Sequence, residues 1–175
     1  SNYRNAAWAP SAEPSLRFSV VPRPMSVDEI HEVIEGYALS AKLAKKGGLD
    51  GVEICCSHGY LPAQFWSGHT NRRTDQYGGS FENRMRFIVE VIQRIWETVG
   101  DDFTVGIRMS ADEKTMDGLT VKDAVDIVQY LVDQVRIDFI SVTSGDSSTY
   151  AGSTHIAPPS PMEHGYNAPA AFNIR

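Results

Sequence analysis

An α/β fold built on parallel strands is what this sequence predicts, and three observations carry the prediction. Segments with a helical apolar rhythm alternate with short apolar runs of strand length. Each apolar run is followed by a long polar loop. The connections are long enough to hold helices, as parallel strands joined by right-handed crossovers require.

In order along the chain, residues 1–25 carry Pro10, Pro14, Pro22 and Pro24 with little periodicity, so an extended surface segment is expected there. Ser26 and Glu29 have the spacing of a capping box, in which the serine hydroxyl accepts from a free helix-start N–H and the glutamate reaches back. Behind them Val27, Ile30, Ile34, Tyr37, Ala41 and Ala44 fall on one helix face, and Gly47-Gly48 ends the helix. Val52 to Ile54 reads as a strand. A second helix is expected from about Ser80 to Gly100, with Phe81, Met85, Ile88, Ile92, Ile95 and Val99 as its apolar stripe. Thr104 to Met109 is the second strand, Thr120 to Val135 the third helix, and Asp138 to Thr143 the third strand. Residues 152–167 read as a long loop with Pro158, Pro159 and Pro161. A further helix starts at Ala168, with Pro169 suited to its first turn.

Two architectures fit this order, a doubly wound sheet and a (β/α)8 barrel. A nucleotide-binding doubly wound sheet would carry a Gly-rich turn of the form G-x-G-x-x-G after a strand, and none of the three strands is followed by one. Long polar loops after strands suit the catalytic face of a barrel. A complete barrel takes about 250 residues, so the 175 residues here read as one domain forming a contiguous, partial (β/α)8 TIM barrel.

Composition narrows the function classes. The formal net charge of −6, from 16 basic and 22 acidic residues, argues against non-specific nucleic-acid binding. No apolar run approaches the roughly 20 residues that span a bilayer, and Ser1 to Pro14 lacks the pattern of a signal peptide. The two cysteines, Cys55 and Cys56, are sequence neighbours that rarely bridge, so a reducing, cytoplasmic setting is the default expectation.

Chemistry concentrates after the first strand, where Cys55, Cys56, His58, Tyr60, Arg72 and Asp75 crowd one loop. Parallel strands open their C-terminal ends on one face, so Cys55, His58, Tyr60, Arg108 and residues 144–146 should surround a common mouth. His58 with Tyr60 can hold a substrate's polar atom while the phenol gives a proton, or the pair can simply pin the loop. Arg108 interrupts the run V-G-I-R-M-S and reads as a buried cation that faces either a cofactor or an acid on a neighbouring strand. Cys55, Cys56 and His58 lack the spacing of a zinc site, and no metal is expected. Cys55 reads as a small residue in the site and Cys56 as a packing residue. Arg72, Arg73, Asp75, Glu82, Asn83, Arg84 and Arg86 read as a bracing and capping system, with Asn71 and Ser80 tying off amides.

The stretch V-E-I-C-C-S-H-G-Y-L-P-A-Q-F followed by N-R-R-T-D-Q-Y-G-G-S-F-E-N-R-M-R-F resembles the old yellow enzyme family of FMN-dependent oxidoreductases. V-G-I-R-M-S at 105–110, R-P-M-S-V-D-E-I at 23–30 and the segment from Pro158 to Asn167 extend the resemblance from about Pro10 to the C-terminus. It implies a (β/α)8 barrel with FMN at its mouth, the three strands here being the fourth to sixth. Tyr60 and His58 take the catalytic positions, Cys55 and His58 the substrate pair, and Arg108 the position against the flavin. A cation there stabilises negative charge on the reduced ring. The family's activity implies hydride transfer between flavin N5 and a small organic substrate. That substrate is an N-methylated amine or, alternatively, the activated C=C of an enone or dienoyl thioester. A cofactor-free, non-catalytic barrel fragment or binding module is the reading from another class. Cys55 departs from the His or Tyr usual at its position, and a thiol is a weak donor. The Leu61-Pro62-x-Gln64-Phe65 segment is closer to the branch of trimethylamine dehydrogenase and 2,4-dienoyl-CoA reductase. That branch implies NAD(P)H as an electron donor and, only if the full-length protein extends beyond this chain, an iron–sulfur cluster. Trp66, Tyr150 and Tyr166 are candidates for an aromatic surround. The expected partner is a small molecule, with no nucleic acid and no membrane; a homo-oligomer is left open.

Overall fold

A computed structural model of the protein describes residues 7–15 and 17–175. The N-terminal segment starts with a two-residue parallel pair, β1 (Trp8–Ala9) against β2 (Arg23–Pro24), so the expected extended segment is anchored by a short ladder. Residues 1–6 and 16 of that segment lie outside the described residues.

Helix α1 (Val27–Lys46) begins on the predicted capping box: Ser26 accepts from the Glu29 N–H and the Glu29 carboxylate accepts from the Ser26 N–H. Strand β3 (Gly51–Cys56), helix α3 (Phe81–Val99), strand β4 (Thr104–Ser110), helix α4 (Val121–Gln134) and strand β5 (Phe139–Thr143) follow the predicted order. Two short helices were not legible: α2 (Leu61–Trp66), inside the loop after β3, and α5 (Tyr150–Ile156), which overlaps the predicted loop 152–167. The cap that starts α5 is Thr149, whose hydroxyl accepts from the Gly152 N–H. Helix α6 (Ala168–Ile174) closes the described chain and packs against α4.

β3, β4 and β5 form one parallel sheet in chain order, in which Cys55 pairs with Arg108 and Arg108 with Ser141. One face carries Ile54, Cys56, Val105, Ile107 and Met109, all buried under the helices. Burial of such side chains contributes roughly 1.5–3 kcal/mol each, so this layer holds the sheet to α1, α3 and α4. Phe65 of α2 stacks on Phe87 of α3 at 4.3 Å between ring centres, which ties the site loop into the same core. The opposite face carries Glu53, Cys55, Gly106 and Arg108, with Phe139 and Ser141 beside them in register. Gly106 is required there: a Cβ would stand 2.4 Å from the Phe139 ring. A parallel sheet with helices on one face only, and polar groups on the other, is part of a barrel wall seen with its inner face open. No helix among the described residues is long and apolar enough to cross a membrane.

Candidate active site

The C-terminal ends of β3, β4 and β5 converge, and the loops that leave them bond to one another. His58 lies two residues past β3 with φ 59, a left-handed backbone that costs a non-glycine residue of order 1 kcal/mol. Four bonds hold it there. Its N–H donates to the Ser110 hydroxyl at 3.1 Å, and its C=O accepts from the Ser147 N–H at 3.2 Å and the Ser147 hydroxyl at 2.7 Å. Its ring Nδ1 lies 3.3 Å from the Gly145 carbonyl oxygen. A carbonyl only accepts, so Nδ1 carries the proton and Nε2 of the neutral ring presents a lone pair. Burial pushes the His58 pKa below its usual value and Arg108 pushes the same way, against the Gly145 hydrogen bond and the Asp146 charge. The neutral ring is therefore favoured near pH 7.

Tyr60 stands beside it, its ring edge-on to His58 at 6.4 Å and 57% exposed at the mouth. The Tyr60 hydroxyl makes no hydrogen bond among the described residues, which leaves it free to meet a ligand. Between the two, Gly59 has φ 75, and a Cβ there would stand 2.5 Å from Asp146 Oδ2. Asp146 is buried and accepts from the Ser148 N–H. It was expected only as part of the loop after the third strand; no motif marked its contact with the His58 loop. Nor did any motif mark the contacts of Ser110 and Gly145 with that loop.

Cys55 lies on the open face, its Sγ 3.5 Å from the Ser57 hydroxyl, while Cys56 points into the core. Arg108 lies on the open inner face of this partial wall, where its side chain is 46% exposed. The reason is the two-residue period of the strand. Val105, Ile107 and Met109 face the helices, and Arg108 falls on the other side with Gly106 and Ser110. Its Nε donates to Glu53 Oε1 at 2.8 Å, the ion pair with a neighbouring strand, and its two terminal nitrogens make no hydrogen bond among the described residues. A half-exposed guanidinium with its end free, on an open sheet face, fits the electron-rich edge of a flavin ring.

The bracing system lies where the sequence put it. Arg73 pairs with Asp75 and donates to the carbonyls of Pro10 and Met25. Asn71 is buried and donates to Phe65 O at 2.6 Å and Tyr77 O at 2.7 Å. Arg84 donates to Trp66 O and Gly79 O, and Ser80 caps α3 through the Asn83 N–H. Trp66, a candidate for an aromatic surround, is only 2% exposed and belongs to the core instead. Tyr166 bonds His155 Nδ1 at 2.6 Å, and Tyr150 is exposed near Arg17. Behind the site loop lies a cavity of about 330 Å³ lined in part by Gly59, Gln64, His69, Glu113 and Asp146. Burial pushes the Glu113 pKa up to about 7, against the hydrogen bond from the Leu119 N–H, and the charges of Asp146, Asp112 and Asp123 raise it further. Among the described residues no group of His, Cys, Asp and Glu is arranged to hold a metal ion.

Residues 4–164 match the model of the NADH:flavin oxidoreductase / NADH oxidase family. The chain belongs to that family. Its members are flavin-dependent oxidoreductases that use NADH or NADPH. The chain is 38% identical over 167 residues to an NADH oxidase of Thermoanaerobacter brockii, covering 95% of this chain and 25% of that protein. It is 42% identical over 142 residues to an N,N-dimethylglycine/sarcosine dehydrogenase of Chromohalobacter salexigens, covering 78% and 20%. Among solved structures, a 2-naphthoyl-CoA reductase complex superposes with a TM-score of 0.87 at 32% identity, over 97% of this chain and 25% of that one. Histamine dehydrogenase from Rhizobium sp. 4-9 superposes with a TM-score of 0.85 at 29% identity, over 99% and 25%. The family's chain is thus represented here by about a quarter of the length of these relatives, as a partial TIM barrel.

Proposed function

We propose that the chain is the central part of a flavin-dependent oxidoreductase that oxidises a small N-methylated amine. The observation that carries this reading is the His58 ring. With Nδ1–H committed to Gly145 O, the neutral imidazole offers Nε2 as an acceptor. An amine N–H, or the N–H of its ammonium form, matches an acceptor; the carbonyl oxygen of an enone or thioester needs a donor instead. FMN, when bound, supplies the hydride acceptor. Arg108 would hold the flavin edge through its free terminal nitrogens, with Glu53 fixing the guanidinium. His58 would orient the amine and accept its proton, so that the nitrogen lone pair is available as the adjacent C–H bond breaks. Tyr60, free at the mouth, would contact the substrate or hold a proton beside it, and Cys55 would leave room on the open face. Two relatives support the amine reading through their names alone, a dimethylglycine/sarcosine dehydrogenase and a histamine dehydrogenase.

The test uses full-length, flavin-loaded protein mixed anaerobically with dimethylamine or sarcosine, and separately, after reduction, with 2-cyclohexenone. The expected result is loss of oxidised-flavin absorbance with a methylated amine, slowed by roughly 100-fold in His58→Ala. Reoxidation by the enone with no bleaching by either amine would overturn the reading in favour of C=C reduction. A full-length protein that carries no flavin would overturn it in favour of a non-catalytic module.

A further inference from the structure

Ser110 ends β4 and is buried. Its hydroxyl has one proton, which it donates to Gly145 O at 2.8 Å, and its lone pair accepts the His58 N–H at 3.1 Å. Gly145 cannot turn away from this contact. Its own N–H donates to Asp112 O at 2.8 Å, it holds φ 88, and a Cβ there would stand 2.4 Å from Gly152 O. The Gly145 carbonyl oxygen therefore takes two donors, Ser110 O–H and His58 Nδ1–H. One buried hydroxyl thus bonds to both loops that orient the imidazole, the loop after β3 through its backbone and the loop after β5 through its carbonyl.

We propose that Ser110 is a positioning residue for His58: it holds the ring in its Nδ1–H form and so presents Nε2 as the acceptor to the substrate. Three charged or ionisable groups face the ring, Arg108 from β4, Asp146 from the loop after β5 and Tyr60 from its own loop. None of them hydrogen-bonds the imidazole among the described residues, so its tautomer is set by the Gly145 oxygen, and Ser110, bonded to that oxygen and to the His58 N–H, holds the His58 backbone in register with it. The inference rests on the amine reading only for what Nε2 accepts; the tautomer itself is independent of substrate.

The experiment is nitrogen NMR on full-length, flavin-loaded protein labelled with 15N-histidine, near pH 8, with Ser110→Ala, Ser110→Cys and Ser110→Thr beside the wild type. Expected are a protonated Nδ1 and a bare Nε2 for His58 in the wild type and in Ser110→Thr. A mixture of the two tautomers is expected in Ser110→Ala, with Ser110→Cys between. Turnover of dimethylamine should fall about tenfold or more in kcat/KM in Ser110→Ala and recover to within about threefold in Ser110→Thr. If Ser110→Ala does not fold, the intermediate tautomer ratio of Ser110→Cys carries the test. An unchanged Nδ1–H form in the folded Ala or Cys variant, whatever its melting temperature, overturns the proposal. A tautomer shift without any dimethylamine turnover in the wild type would leave Ser110 in its role and remove the amine reading instead.

Discussion

Replacing Glu113 by glutamine isolates the cost of a buried carboxyl behind the site loop. Glu113 is 6% exposed, and one of its oxygens accepts from the Leu119 N–H at 2.8 Å. Burial raises its pKa from 4.5 to about 7. A raised carboxyl pKa means the folded state binds the proton more tightly than the unfolded chain. The stabilisation is fully present below the unfolded value, near 4.5, and is lost as pH rises through about 7. At roughly 1.4 kcal/mol per unit, the shift is worth about 3 kcal/mol, and most of that loss falls between about pH 5 and pH 8.5. Glutamine keeps the shape and the acceptor for Leu119 but carries no titrating proton. Urea unfolding of both proteins at the two pH values gives the difference of differences, in which most other titrating groups cancel; Asp146, Asp112 and Asp123, which face Glu113, are the exceptions. The wild type should lose about 2.5 kcal/mol more than Glu113→Gln between those two pH values. Equal losses, to within about half a kcal/mol, would refute the burial argument.

Two further substitutions test how the site loop and the sheet face are held. Asn71→Ala strips the donors from the Phe65 and Tyr77 carbonyls and the acceptor from the Arg73 N–H. A loss of about 2–4 kcal/mol is expected from the urea midpoint at constant slope, and a loss under about 0.5 would show that the loop is held elsewhere. Gly106→Ala drives a Cβ to within 2.4 Å of the Phe139 ring. It should cost about 1–3 kcal/mol, and the cost should shrink in a Gly106→Ala/Phe139→Leu double variant; strict additivity in that cycle would rule out the contact as the cause.

What could be read from the sequence follows from the range of each interaction. α1, α3 and α4 were legible because their apolar residues recur within one turn and their caps lie three residues away, as Ser26 does from Glu29. α2 and α5 were not, because six or seven residues hold too few repeats of the helical period to separate it from a loop. Arg108 was placed on the right strand with an acid of a neighbouring strand as a partner, and its place on the open sheet face follows from the two-residue period. V-G-I-R-M-S looks apolar throughout only while Gly106 is counted as core; taken alternately, its polar and small positions share the open face. The convergence of Cys55, His58, Tyr60, Arg108 and Asp146 near one mouth followed from parallel topology. The bonds that orient His58 did not, since its partners lie 52 and 87 residues away in sequence. No local spacing encodes a serine of one strand end and a carbonyl of another.

That long-range bond changes what the cysteine means. From sequence, Cys55 weakens a two-donor clamp on a substrate oxygen, because a thiol donates poorly. In the fold, the other member of the pair is no donor either while neutral: the His58 proton is spent on Gly145 O, and burial opposes a second proton on the ring. A carbonyl substrate would then depend on the Tyr60 hydroxyl for a strong side-chain donor from this loop. An amine meets the opposite situation, a lone pair on Nε2 and a soft sulfur on the same side of the sheet. On the proposed amine reading, the departure at Cys55 and the tautomer at His58 point the same way for independent reasons. Acidifying the solution below the lowered His58 pKa would convert Nε2 into a donor and should erase that preference.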